Sequence, residues 1–225
     1  MGRFALMKEM KNARPAFEIY EGDVSKLIGY QRVRCHIIWD IKLSENFRRK
    51  ARLVAGGHTT KTPSSITYSS VIAWDSVRIA FTIAALNGLN ILSCDILNAY
   101  LAAECREKIY TIAGPEFQSK PGKIMIIKMA LYELKSSGAD FRSKLAGVIW
   151  ELGYRPTKAD PDIWLRPAVK PDGTRYYEMI LCYVDDIISI SMKPLDAIDR
   201  IQRIFNLKMI ELMCLRCTLE LVYQR

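Results

Sequence analysis

The segment Leu181-Cys182-Tyr183-Val184-Asp185-Asp186-Ile187-Ile188 constrains this chain more than any other. Two strongly β-forming runs are separated by nothing but a pair of carboxylates. Strands over Tyr176–Val184 and Ile187–Met192 then require a tight turn at Asp185-Asp186. Aspartate is an ordinary turn residue, so a solvated hairpin tip would satisfy the pattern. Taken alone the pair is first a solvated turn; an acidic pair at the end of an apolar hairpin is also the start of an oxygen-ligand site.

Asp95 bears on that choice. It closes a short apolar strand, Leu89–Asp95, and precedes Ile96–Ala103, whose pattern predicts a helix. By itself Asp95 reads as an N-cap for that helix. A strand-end carboxylate beside a carboxylate-tipped hairpin instead makes a cluster of the kind that Mg²⁺ and similar hard cations prefer.

The remaining pattern mixes strands and helices without regular βαβ alternation, which predicts an α+β fold. Strands are expected over Tyr30–Leu43, Arg48–Ala55, Lys108–Ile112 and Lys123–Met129. A helix N-capped by Asp75 should carry Val77, Ala80, Ile83 and Ala84 on one face and end near Asn87-Gly88. Ser137–Leu152 reads as an amphipathic helix stopped by Gly153, and Asp196–Phe205 as a final helix. Gly56-Gly57 marks a turn, followed by a polar loop over Thr59–Ser70. Trp39, Trp74, Trp150 and Trp164 form no stacking ladder and read as core.

Charge adds a partner class. The net charge is +9, and residues 1–62 hold 13 Lys/Arg against 6 Asp/Glu, which is +7 of it. A basic first third suits a polyanion, although a solvated basic face has the same composition. Half of the chain is hydrophobic, enough for a real core. No apolar run reaches the roughly 18 residues of a membrane span. Met1–Lys11 lacks the apolar stretch of a signal peptide, so a reducing, intracellular location is expected for the six cysteines. Cys214 and Cys217 form one C-x-x-C, but with only His36 and His58 in the chain no second pair completes a zinc site.

Several segments together resemble the reverse transcriptases of copia-type LTR retrotransposons. Tyr183-Val184-Asp185-Asp186 resembles the Y-x-D-D signature, and Asp95-Ile96-Leu97-Asn98-Ala99-Tyr100-Leu101 the motif D-[VI]-x-x-A-[FY]-L. Lys50-Ala51-Arg52-Leu53-Val54-Ala55 is similar to the K-A-R-L-V-A segment. Tyr68-Ser69-Ser70-Val71 with Ser76-Val77-Arg78 is similar to F-S-P-V…[ST]-[IV]-R, Ser70 standing where proline is common. Leu131-Tyr132-Glu133-Leu134-Lys135 resembles L-Y-G-L-K, and Asp160-Pro161-Asp162-Ile163-Trp164 resembles D-x-x-[LV]-[FY]. The segments follow the family's order and cover roughly residues 7–208.

The resemblance implies a right-hand polymerase with fingers near 27–90 and 113–150, and a palm near 91–112 and 151–208 whose antiparallel sheet carries the Y-V-D-D hairpin. It implies RNA-directed DNA polymerisation on a primed RNA or DNA template with dNTPs, in a cytoplasmic particle or the nucleus and without a membrane. Asp95, Asp185 and Asp186 would hold two Mg²⁺ or Mn²⁺ ions for in-line attack of a primer 3′-hydroxyl on the α-phosphate. Lys50, Arg52, Tyr100, Tyr183 and Lys135 would line the nucleotide site, with Tyr100 excluding a ribose 2′-hydroxyl. On spacing alone Tyr100 is equally a core tyrosine, Lys50 and Arg52 an exposed basic strand, and Lys135 a surface lysine.

Two departures stand out. Glu133 replaces the family's glycine, adding bulk and charge where only glycine offers close approach and free φ, and Ala139 replaces a common arginine. Residues 209–225 do not resemble the family's continuation, so a truncated copy without thumb or RNase H is expected. These points leave three functions open: an active polymerase, an inert remnant that only binds nucleic acid, and another palm-type nucleotidyl enzyme such as a cyclase. Lys50–Ala55 and Tyr100 speak against the last.

Overall fold

The computed structural model describes residues 2–43, 47–63, 67–117 and 121–213. In chain order its elements are α1 (Gly2–Ala13), β1 (Phe17–Tyr20), β2 (Gln31–Arg32), β3 (Cys35–Lys42), β4 (Arg48–Ala55), α2 (Trp74–Asn87), β5 (Asn90–Ile96), β6 (Ile109–Ile112) and β7 (Ile124–Ile127). They continue with α3 (Ser137–Glu151), β8 (Arg155–Pro156), β9 (Ile163–Val169), β10 (Arg175–Tyr183), β11 (Asp186–Ser191), α4 (Pro194–Gln202) and β12 (Leu207–Met213). The fold is mixed α+β. The chain divides into two compact units, Met1–Tyr68 with Tyr100–Phe141, and Ser69–Ala99 with Arg142–Arg225. Cys214 and Cys217 lie outside the described residues.

In the first unit, β3 and β4 pair along their whole length, from Cys35↔Ala55 to Lys42↔Arg48. A four-stranded sheet runs β1-β7-β6-β2. The expected strand Tyr30–Leu43 is two strands, because the Gln31 and Val33 N–H groups donate to Lys108 and Tyr110 carbonyls (2.8 and 2.9 Å) in a short parallel pairing with β6. Helix α1 was not anticipated. Leu6, Met10 and Ala13, spaced i, i+4, i+7, turn into a core with Phe17, Leu53, Ile109, Met125 and Ile127.

In the second unit, a six-stranded antiparallel sheet runs β12-β5-β11-β10-β9-β8. Ala80 and Ala84 of α2 pack on Leu89, Ile91, Met179, Leu181 and Ile190. Ile83, expected on that buried face, is exposed. Helix α2 starts one residue before Asp75; the N-cap position is Ala73, and Asp75 instead pairs with Arg78 at 3.2 Å in the exposed first turn. Its end falls where the sequence places it. Gly88 takes φ 60° and returns its N–H to the last turn, a conformation glycine adopts without a Cβ clash. Helix α4 begins at Pro194, whose missing N–H is no loss in a first turn, and buries Ala197, Ile198 and Ile201.

Ile96–Ala103 is not a helix. The Ile96 N–H donates to the Asp185 carbonyl and the Leu97 N–H to that of Asn206, both at 2.8 Å, and Ile96 is the last residue of β5. Asn98 then reverses the chain at φ 54°, and only a short 3₁₀ turn, Ala99–Ala102, follows. Of the four tryptophans, Trp164 alone is buried; Trp39, Trp74 and Trp150 are at least half exposed. The Trp150 ring is covered by the Arg155 guanidinium, 3.7 Å from its centroid, an arrangement that needs no core.

Candidate carboxylate site and its surroundings

The turn between β10 and β11 is Val184-Asp185, one residue earlier than the sequence reading put it, and Asp186 is the first residue of β11. Tyr183 stands opposite Asp186. Val184 takes φ 54°, an unfavourable conformation for a β-branched residue, because a two-residue hairpin turn needs positive φ to match the strand twist.

Strand β11 lies against β5, and there Asp186 stands directly opposite Asp95. On the other side of β5, Asp95 is opposite Lys208 of β12. Opposed residues of antiparallel strands project on one face. A row Lys208, Asp95, Asp186, Tyr183 therefore crosses four strands at one end of the sheet. Asp185 adjoins it through the Ile96 N–H on its carbonyl. Lys208 was not picked out in the sequence, where nothing marks a partner so distant in the chain.

The electrostatics agree with the register. Burial, then the charges of Asp185 and Asp95, push the Asp186 carboxyl above its ordinary range. The neighbouring Cys94 thiol is pushed up to about 12 by burial, then by Asp186 and Asp95. Like charges gathered on one sheet end are relieved by a proton or a cation, and an all-carboxylate donor set suits a hard divalent ion. Among the described residues, no group of three or more His, Cys, Asp or Glu side chains is placed so that it could by itself hold a metal ion.

The other expected residues lie in the first unit. Lys50 and Arg52 alternate on one face of β4 and are half-buried. The Arg52 guanidinium lies 3.8 Å from Asp40 and 5.9 Å from the Tyr132 ring centroid. Its Nε is buried without a hydrogen-bond partner among the described residues. Tyr100 is half-buried and packs edge-on against Tyr132 and Phe141, centroids 5.0 and 6.2 Å away. The Lys135 ammonium donates to the Thr60 carbonyl, which ties it to the loop after β4.

Glu133 is exposed and takes φ 70°, the left-handed conformation a glycine would adopt freely. Its carbonyl is so close to Gly57 that a Cβ there would come within 2.3 Å of the oxygen. One participant escaped the sequence reading. The Glu9 carboxylate of α1 accepts the Leu53 N–H at 2.9 Å. Burial raises its pKa, against the opposing pull of the Leu53 hydrogen bond and of Lys50 and Arg52. The signal for it was the apolar spacing of α1.

A family model described as reverse transcriptase (RNA-dependent DNA polymerase) matches residues 23–217. The chain is also 25% identical over 196 residues to the retrovirus-related Pol polyprotein from transposon TNT 1-94 of Nicotiana tabacum. That alignment takes in 82% of this chain and 14% of the tobacco protein. The chain therefore spans about one-seventh of that relative's length.

Proposed function

The chain belongs to the reverse transcriptase (RNA-dependent DNA polymerase) family, and from that premise we propose that it adds dNTPs to a primer 3′-end on an RNA template. The observation that carries this reading is the register of Asp95 opposite Asp186 beside the Asp185 turn. We take the six-stranded sheet as the palm and β3–β4 with its surroundings as fingers.

In this reading Asp95, Asp185 and Asp186 hold divalent cations, Mg²⁺ or Mn²⁺. Bound there, such ions would supply Lewis-acid polarisation of the attacking hydroxyl and of the phosphate oxygens. Lys50 and Arg52 neutralise triphosphate charge, Arg52 with a guanidinium edge whose buried Nε has a hydrogen bond to give. The Tyr100 ring, fixed edge-on by Tyr132 and Phe141, offers a stiff wall to a sugar. Tyr183 stands next to Asp186 in the carboxylate row and would meet the nucleotide or primer end. Lys135 serves indirectly, by holding the Thr60 loop.

The test is primer extension by purified protein with template RNA, dNTPs and Mg²⁺ or Mn²⁺, beside Asp185→Asn. Extension lost in the variant supports the reading, and extension that persists defeats it. Glu133 favours a second reading, a protein that binds primed template without extending it, because a carboxylate at a glycine position opposes a polyanion. Binding that survives while extension is absent, with log K falling by about 0.9 per log unit of salt for each neutralised phosphate, identifies that case.

A further inference from the structure

Asp162 immediately precedes β9, is only 3% exposed, and uses every polar group it has. Its Oδ1 accepts from Arg142 Nε and Nη2, both at 2.9 Å. Its Oδ2 accepts from the Ser70 hydroxyl. Its N–H donates to Asp160 Oδ1 at 3.1 Å, and its carbonyl accepts the Cys182 N–H at 3.0 Å. Asp160 in turn accepts the Ala73 N–H at 3.1 Å. One residue thus joins α3, the segment leading into α2, and β10.

The Cys182 bond matters for the site. The last register pair between β9 and β10 is Leu181↔Ile163, and Asp162 carries the ladder one step nearer the Val184-Asp185 turn. Among the described residues it is the last backbone hydrogen bond on that flank of β10 before Asp185. A buried ion pair is weak evidence for stability, since apolar residues of similar volume often do as well. What such a pair adds is a fixed geometry. Ser70 reinforces it by donating its hydroxyl to the second carboxylate oxygen.

We propose that Asp162, clamped by Arg142 and Ser70, is a positioning residue: it fixes the end of β10, and with it the Val184-Asp185 turn beside the Asp95–Asp186 pair, on which divalent-cation binding depends. This rests on the cation-binding reading above. Sites of this kind tolerate little displacement, and a misplacement of ~1 Å far from the chemistry can cost about a hundredfold in rate.

The experiment is Mn²⁺ binding to the full chain, read from the free-ion electron paramagnetic resonance signal, with circular dichroism melts on every variant. Asp185→Asn should weaken binding at least tenfold. Asp162→Asn and Arg142→Gln should each weaken it roughly fivefold while the far-ultraviolet spectrum stays native, and the double variant should be no worse than the weaker single. Arg142→Lys, which keeps the charge, should recover part of the loss. Folded Asp162→Asn protein that binds Mn²⁺ like the wild type overturns the proposal. Should that variant not fold, wild-type affinity in folded Arg142→Gln overturns it instead. Wild-type affinity in Asp185→Asn, or no binding by the wild type, removes the reading beneath it and the proposal with it.

Discussion

Asp95 and Asp186 stand directly opposite one another on neighbouring antiparallel strands, with Lys208 beyond Asp95 and the Asp185 turn beside them. Like charges directly opposed on a sheet destabilise it by up to about 1 kcal/mol. Asp186→Asn should therefore raise the urea midpoint of the cation-free protein, by roughly 0.5 kcal/mol of stability. In saturating Mn²⁺ the order should reverse, because the wild type gains linked binding energy that the variant lacks. A variant less stable than wild type without cation would count against mutual repulsion at this pair.

Glu133 holds a conformation that costs a non-glycine residue on the order of 1 kcal/mol. Glu133→Gly removes that strain but adds unfolded-state freedom, so it should leave stability equal or raised by up to ~1 kcal/mol. Glu133→Val, a β-branched residue at φ 70°, should lower it by about the same amount. Chemical denaturation of the two variants checks the opposed signs.

Gly57 shows the other side of that contact. A Cβ there would sit 2.3 Å from the Glu133 carbonyl oxygen and 2.9 Å from Leu134 Cα, both main-chain atoms. Gly57→Ala should cost about 2–3 kcal/mol, the upper range for overpacking. A change below about 0.5 kcal/mol, typical of a surface substitution, would mean the loop approaches less closely.

Acid stability should depend on Asp160. Burial works to raise its carboxyl, but hydrogen bonds from Ser76, Ala73 and Asp162 and the Arg142 charge outweigh it and hold the pKa below the ordinary range. A depressed carboxylate contributes stability above its unfolded pKa of about 3.9 and loses it as pH falls through the lower folded value. Asp160→Asn should lower the melting temperature at pH 7 and flatten the decline below about pH 4. Parallel wild-type and variant curves through the acid limb would contradict this.

Much of the local structure was legible because neighbouring residues decide it. Arg48–Ala55 is the strand its alternation implies, α2 ends at Gly88, and α3 starts at Ser137. What escaped depends on distant partners. The Ile96–Ala103 segment has helical composition, but Ile96 pairs at the end of β5 and Asn98 takes the left-handed φ of 54°. Tyr30–Leu43 is broken by pairing with β6. The hairpin turn slid by one residue because Val184 accepts a conformation its side chain disfavours. The three carboxylates could be named from local pattern and resemblance. Their cross-strand order, the Lys208 neighbour and the Asp162 anchor follow from register, which no local window contains.

Single-nucleotide incorporation onto a primed RNA template in Mn²⁺ tests the central claim most directly, using wild type, Glu133→Gly, and Glu133→Gly combined with Asp185→Asn. Glu133 at a glycine position should make the wild type slow, a barrier increase of ~3 kcal/mol corresponding to about a hundredfold in rate. The account predicts slow but detectable incorporation by wild type, faster incorporation by Glu133→Gly, and none in the double variant. Incorporation that survives Asp185→Asn would contradict the assignment of the carboxylates, and robust wild-type incorporation unchanged by Glu133→Gly would contradict the role given to Glu133.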